Sequence, residues 1–483
     1  MTRVLVCAVL CLMMVAATLS ASPTDTSSAS GALAQGNDPR LAKAWRFERD
    51  GWVYLHLEGS PRDVGFQHGY LLAPEIADAF AAVKLRDTRA TRRDWEFFRR
   101  AAREMFWPQI DAEYQQELQG IVEGLNARGV QMTIDDVVAL NGFLELADYY
   151  VPWLNKQQNT PDAPKLAAPG NCSAFVATGS YTKDGRIVMA HNAWTSYMHG
   201  QRWVIVYDIV PQRGHRIIMD GFPGVITSGD DFAINSDGLM VTETTITQFT
   251  GFNPKGKPYF VRSRKALQYA SSIDDYVRIM LDGNNGAYAN DWLLGDNKTG
   301  EIARFELGLK NHKVWKSKDG YFVGSNFASD PKLIAEETTG FDANKLDSSP
   351  NARRVRWEQL MAENKGRIDI QMAQRFLADH YDSFEKKEQK NERGLCGHLD
   401  QNPRGIPEWE WGPYYPGGAV QGKATDGSLA RQMSFWARAG HPCGDTFLAK
   451  PFLQKHPEFN WQAPLLRDMK SGPWTLFVAG QTK

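Results

Sequence analysis

One cysteine of this chain stands where a nucleophile would be useful. Cys172 lies in Asn171-Cys172-Ser173-Ala174-Phe175, at the first residue of a β-rich run and directly after a polar stretch broken by Pro161, Pro164 and Pro169. That is an unusual place for a core thiol. If the peptide bond before it is cut, Cys172 becomes an N-terminal residue. Its own α-amine, with a reference pKa near 7.7 to 8.0, can then act as the general base that a thiol nucleophile needs. Nucleophile and base share one residue, so no separate catalytic His and Asp are required.

The cysteine count points the same way. Arg3, the apolar run Val4 to Ala17 and the small residues Thr18 to Ser22 read as a secretory leader over 1–22, cut near residues 20 to 22, although Ala32-Leu33-Ala34 also fits the small-x-small rule. Cys7 and Cys11 leave with it, and Cys172, Cys396 and Cys443 remain. In an oxidising compartment an odd count reads as one disulfide plus one thiol with another purpose. Cys396 and Cys443 are the expected pair, closing a loop of roughly 46 residues worth about 3–4 kcal/mol in the chain-entropy model. Cys172 stays free, although a buried inert thiol would give the same count.

The elements that must position Cys172 follow from periodicity. A flexible linker is expected over 23–45. From Ser60 to about Tyr150 apolar residues recur at helical spacing, and Gly65 and Gly69, four apart, share one helix face that could admit another backbone. After the linker at Gln157 to Gly170, short β-rich runs follow: Ser173–Thr178, Arg186–Asn192, Trp203–Val210, Arg216–Met219 and Gly238–Ile246. A second set spans Asp291–Leu294, Ile302–Leu307 and Tyr321–Ser325. Helices are expected near 272–281, 351–363 and 369–380. Strands and helices in separate blocks indicate an α+β architecture rather than a doubly wound sheet. The expected division is a helical chain over 46–171, released by self-cleavage but retained, and a catalytic domain over 172–483.

Four ordered segments carry a family resemblance. Asn171-Cys172-Ser173-Ala174-Phe175 is followed by Met189-Ala190-His191-Asn192-Ala193-Trp194-Thr195-Ser196-Tyr197. Phe222-Pro223-Gly224-Val225-Ile226 then leads to Ser228, Asp230, Asp231 and Phe232. Gly238-Leu239-Met240-Val241 leads to Glu243-Thr244-Thr245-Ile246. Together they resemble the phospholipase B-like proteins of the N-terminal-nucleophile hydrolase superfamily, close to the penicillin acyltransferases and choloylglycine hydrolases. The resemblance weakens but continues through Asn290-Asp291-Trp292, Gly324-Ser325-Asn326 and Ser349-Pro350-Asn351-Ala352-Arg353. It implies a four-layer αββα sandwich, autocatalytic cleavage before Cys172, and hydrolysis of an acyl ester or amide. By position it makes Cys172 the nucleophile, sets His191 and Trp194 beside it, and gives Asn326 and Thr245 the place of oxyanion donors. Asn351 departs from the arginine that the family tends to carry after Ser-Pro, which leaves Arg353 or Arg354 to supply the guanidinium. Asp230 and Asp231 are paired carboxylates equally suited to holding a turn.

Composition bounds the rest. The chain has 483 residues, 42% hydrophobic and 23% charged, with a formal net charge of −1. That balance gives no electrostatic reason to bind nucleic acid. There is no G-x-S-x-G elbow, H-E-x-x-H helix, phosphate-binding loop or C-x-x-C pair, so no cofactor and no metal are expected. The chain is expected to be secreted or periplasmic, or to occupy a lysosome-like compartment in a eukaryote. Its expected partner is a small acyl substrate or a phospholipid, with at most transient contact with a membrane surface. An N-acyl amide hydrolase or acyltransferase, and an inactive lipid-binding protein of the same fold, are the alternatives.

Overall fold

The computed structural model describes residues 38–160, 172–409 and 411–483. The expected leader over 1–22, most of the expected linker over 23–45, and Asn171 lie outside the described residues. Two sheets dominate. The larger has nine strands in the order Trp45–Arg49, Trp52–Gly59, Ile205–Pro211, Ile217–Gly221, Ala233–Asn235, Leu239–Thr245, Asn290–Asp296, Glu301–Leu307 and His312–Ser317. The smaller has six, in the order Gly320–Gly324, Ser173–Gly179, Gly185–Ser196, Gly417–Asp426, Ser434–Ala439 and Thr475–Val478.

Side-chain alternation shows how they stack, because successive residues of a strand face opposite sides. Ala174, Val176 and Met189 of the six-stranded sheet share an apolar cluster with Tyr54, Val206, Met240 and Leu293 of the nine-stranded one. Their neighbours Phe175 and Val188 face outward onto Trp357 and Phe376 of the helices Ser349–Glu363 and Ile370–Leu377. On the far side, Leu55, Tyr207 and Val241 pack against Val64, Ile76, Leu118 and Val138 of the N-terminal helices. The fold is therefore a four-layer αββα sandwich, as the motifs imply. Among the described residues no helix is long and apolar enough to cross a membrane.

The N-terminal third is not helical throughout. Trp45–Arg49 and Trp52–Gly59 form a hairpin, with Arg49 paired to Trp52 across Asp50-Gly51. Both turn residues take positive φ, +52° and +86°, the conformation that tight hairpins use and Asp-Gly favours. The second strand of that hairpin then pairs in parallel with Ile205–Pro211. Trp45, placed by the sequence in a linker, already belongs to a strand, and a short 3-10 turn at Pro39–Leu41 precedes it. Residues on the N-terminal side of Cys172 thus supply two of the nine strands.

The helices Pro61–Leu71 and Ala112–Ala127 pack closely through four glycines. Ser60 caps the first helix: its Oγ accepts from the Asp63 N–H at 3.3 Å, while Asp63 Oδ2 accepts from the Ser60 N–H at 3.3 Å. A Cβ added at Gly65 would lie 1.9 Å from the Glu117 carbonyl oxygen, and one at Gly69 would lie 2.1 Å from that of Ile121. Gly120 and Gly124 face back onto the Arg62 and Phe66 carbonyls at 2.4 and 2.2 Å. Because the obstacles are backbone atoms, a side chain here can be accommodated only by moving the helices apart. Gly69→Ala is expected to lower stability by about 1–3 kcal/mol, despite alanine's better helix propensity. Gly412→Ala, with no atom within 4 Å of the added carbon, is expected to be close to neutral. Urea unfolding of the two variants checks both.

Candidate active site around Cys172

Cys172 sits immediately before the strand Ser173–Gly179, 1% exposed, with φ at +96°. A non-glycine residue in that region is strained and persists only where its surroundings fix it. Several do. The Cys172 carbonyl accepts from Arg353 Nη1 at 2.7 Å, and the next residue's hydroxyl, Ser173 Oγ, accepts from Trp357 Nε1 at 3.0 Å. The thiol lies 3.6 Å from Glu243 Oε1. Burial pushes the thiol's pKa up, and the negative charge of Glu243 and Asp230 adds to the shift.

Arg353 gathers most of the residues that the motifs single out. Besides the Cys172 carbonyl, its guanidinium donates through Nη2 to Asn326 Oδ1 at 2.8 Å and through Nε to Ser349 Oγ at 3.1 Å. It also lies 4.2 Å over the Trp194 ring. Arg354 points elsewhere, to the Ala343 carbonyl. Of the two candidates, Arg353 is the one at the site. Asn326 follows the strand Gly320–Gly324 at φ +73°, and its Nδ2 donates to the Thr245 carbonyl at 2.8 Å. An NH₂ group is a donor only, the chemistry that an oxyanion calls for. Trp194 Nε1 donates to the Leu395 carbonyl at 3.2 Å.

His191 lies mid-strand, with Ala174 and Lys423 directly beside it on the flanking strands. One of its nitrogens, the Cys172 sulfur and a Glu243 oxygen all lie within 4.8 Å of one another. Burial pushes its pKa down to about 3, and Lys423 pushes the same way, so the ring is neutral. Lys423 is itself buried and bridges Asp220 at 2.9 Å and Asp230 at 2.5 Å. Asp231 accepts from Tyr259, Ser263 and Trp292 at 2.6 to 2.8 Å, which makes it scaffold.

Glu243 is the residue that sequence reasoning left without a role. It stands inside the Glu243-Thr244-Thr245 run and takes a hydrogen bond from Tyr288 at 3.1 Å. Burial, then the charges of Asp231 and Asp230, hold its pKa well above the ordinary carboxylate range. Nothing local marks it, because its importance comes from a strand of the other sheet bringing Cys172 to it. Among the described residues a set of buried polar atoms has no hydrogen-bond partner: both His191 nitrogens, Glu243 Oε2, the Thr244 and Thr245 hydroxyls, and Asn290 Oδ1 and Nδ2. Unpaired polar atoms at such density are costly in a core and suited to a site that meets a polar ligand.

The expected Cys396–Cys443 disulfide is not formed. Both are free thiols, each within 3.6 Å of His398 Nε2 and the two sulfurs within 4.8 Å of each other.

The phospholipase B family model matches residues 84–315, a stretch that holds Cys172, His191, Trp194, Glu243 and Thr245. Phospholipase B-like 3 of Caenorhabditis elegans is 27% identical over 387 residues, covering 70% of this chain and 64% of that protein. Phospholipase B-like 2 of Homo sapiens is 26% identical over 351 residues, covering 64% of this chain and 56% of its own length. The matched region thus spans less than two thirds of either relative. A crystallised variant of the conjugated bile acid hydrolase from Clostridium perfringens superimposes with a TM-score of 0.33 at 11% identity, over 56% of this chain and 89% of that one. The ordered motifs and the family match agree: the chain is similar to the phospholipase B-like proteins.

Proposed function

We propose that this protein is a secreted, self-processing cysteine hydrolase that cleaves acyl ester bonds, with Cys172 as nucleophile. The observation that carries the reading is the thiol's setting: a strained residue at a strand start, its carbonyl held by Arg353 and its sulfur 3.6 Å from Glu243. In processing, Sγ attacks the Asn171 carbonyl carbon while Glu243 takes the thiol proton. The C–N bond then breaks, the Cys172 nitrogen leaves as an amine carrying that proton, and an ester link to sulfur remains. Water hydrolyses the thioester, leaving a carboxylate on Asn171 and a free Cys172 with both thiol and α-amine.

Turnover repeats this chemistry on a substrate. The α-amine takes the thiol proton, Sγ bonds to the acyl carbon, and the tetrahedral oxyanion meets the side-chain amide of Asn326, held in place by Arg353 through Oδ1. Collapse expels the alcohol, which takes the proton from the ammonium. Water activated by the amine then releases the acid. The names of the relatives favour a phospholipid ester. An N-acyl amide passes through the same steps with an amine leaving group, so parallel assays on lysophospholipid and N-acyl amide substrates decide between them.

Mass spectrometry of the purified protein is expected to show a chain beginning at Cys172, and Cys172→Ala is expected to remain a single chain. A wild-type chain that stays intact at both acidic and neutral pH overturns the mechanism and leaves a binding protein of this fold. Processing is expected to quicken as pH rises through the Glu243 pKa, because only the ionised carboxylate accepts the thiol proton. The inflection should lie above the ordinary value near 4.3, and Glu243→Gln should abolish it.

Asn326→Ala is expected to cut kcat on an acyl substrate by roughly 10² to 10³, with a smaller change in KM. Steady-state kinetics of the cleaved variant, checked for fold by circular dichroism, tests this; near-normal turnover overturns the oxyanion assignment.

A further inference from the structure

Four side chains from three separate segments meet at the outer end of the six-stranded sheet. His380 follows the helix Ile370–Leu377, Cys396 and His398 lie in the loop before the strand Gly417–Asp426, and Cys443 follows the strand Ser434–Ala439. One sulfur or ring nitrogen from each lies within 4.8 Å of all the others. His398 Nε2 stands 3.2 Å from His380 Nε2, 3.6 Å from Cys396 Sγ and 3.5 Å from Cys443 Sγ. Hydrogen bonding satisfies this arrangement poorly, because a ring nitrogen carries either one proton or one lone pair, which three neighbours would have to share.

A tetrahedral ion accounts for it. With metal–nitrogen bonds of about 2.0–2.1 Å and metal–sulfur bonds of about 2.3 Å, tetrahedral ligand atoms stand about 3.3 Å apart for two nitrogens and about 3.5 Å for nitrogen and sulfur. The three separations at His398 follow that pattern. Two thiolates cancel the charge of a divalent ion, which suits a cluster whose Cys396 and His398 are fully buried. On the outer side of His398, Gln401 Nε2 lies 3.4 Å from Nδ1. Turning that amide over presents its oxygen to an Nδ1–H, the partner that a histidine bound through Nε2 needs.

We infer that His380, Cys396, His398 and Cys443 form a structural site for a tetrahedral divalent transition metal of the zinc type. Two sulfurs and two imidazoles are the soft set that zinc prefers, and four protein ligands leave no open position for chemistry. The ion's place in the fold gives it a purpose. Leu395, just before Cys396, offers its carbonyl to Asn192 Nδ2 at 3.0 Å and to Trp194 Nε1 at 3.2 Å. Gly397, just after, lies so near the Trp194 ring that an added Cβ would come within 2.2 Å of it. A bound ion pins this loop against Trp194, whose ring also carries the Arg353 guanidinium.

The test is independent of processing and turnover. Protein purified without chelators and dialysed against metal-free buffer is expected to hold about one zinc per chain by elemental analysis. Cobalt exchange is expected to give the strong visible absorption and sulfur-to-metal charge transfer of a tetrahedral site with thiolate ligands. Cys443→Ser and His398→Gln are each expected to reduce the zinc content to under roughly 0.2 per chain, while Cys172→Ala keeps it. Zinc lost from Cys172→Ala would put the ion at the other cysteine and overturn the assignment. So would wild-type protein that takes up no zinc or cobalt, or an unreduced chain lighter by two hydrogens, the mark of a Cys396–Cys443 disulfide. If the two ligand variants fail to fold, the wild-type metal content and cobalt spectrum decide alone.

Discussion

The site depends on a buried cation. Arg353 is fully enclosed, and burial pulls its pKa down to about 9, with the charges of Cys172 and Glu392 working the other way, so it remains charged at neutral pH. Its three nitrogens reach the carbonyl of Cys172, the amide of Asn326 and the hydroxyl of Ser349, and its flat face rests on Trp194. A guanidinium suits this role where an ammonium does not, since its donors diverge in one plane and its faces stack. The strained backbones at Cys172 and Asn326 share this one partner, so losing it would release both.

A second buried charge joins the two sheets. Lys423 belongs to the six-stranded sheet, whereas Asp220 belongs to the nine-stranded one and Asp230 to the loop that follows it. Burial works to raise both carboxyls. Asp230 ends below its ordinary value because the charge of Lys423 outweighs burial, while Asp220 ends above because the Asp230 charge adds to burial. Asp230 thus keeps its negative charge beside Lys423, and truncating Lys423 would leave two carboxyl groups in a core with no cation to answer them.

Much of this was legible in the sequence where information is local. The strand Leu239–Thr245 and the helix Ile273–Leu281 fall within a residue or two of the runs that periodicity marks. Gly65 and Gly69 meet a neighbouring backbone, as their spacing suggests. What escaped was whatever depends on distant segments meeting. Glu243 looks like any carboxylate in a strand until Cys172 arrives from the other sheet. His380, Cys396, His398 and Cys443 have no metal-binding spacing because three loops, rather than one, carry them. The opening hairpin escaped for a different reason: Asp50-Gly51 is a strong turn signal, but Trp45 to Gly59 was overshadowed by the long helical periodicity after it.

The parallel pairing of Trp52–Gly59 with Ile205–Pro211 bears on how long the cut form lasts. Before the proposed cleavage, these strands are tethered through the chain and find each other at high effective concentration. Afterwards they belong to separate polypeptides, and reassembly after unfolding becomes bimolecular and dependent on protein concentration. The processed protein would then owe its lifetime to the height of its unfolding barrier rather than to reversible equilibrium. On that proposal the fold would be acquired once, by the intact chain, and the interleaved hairpin would keep the two pieces from drifting apart.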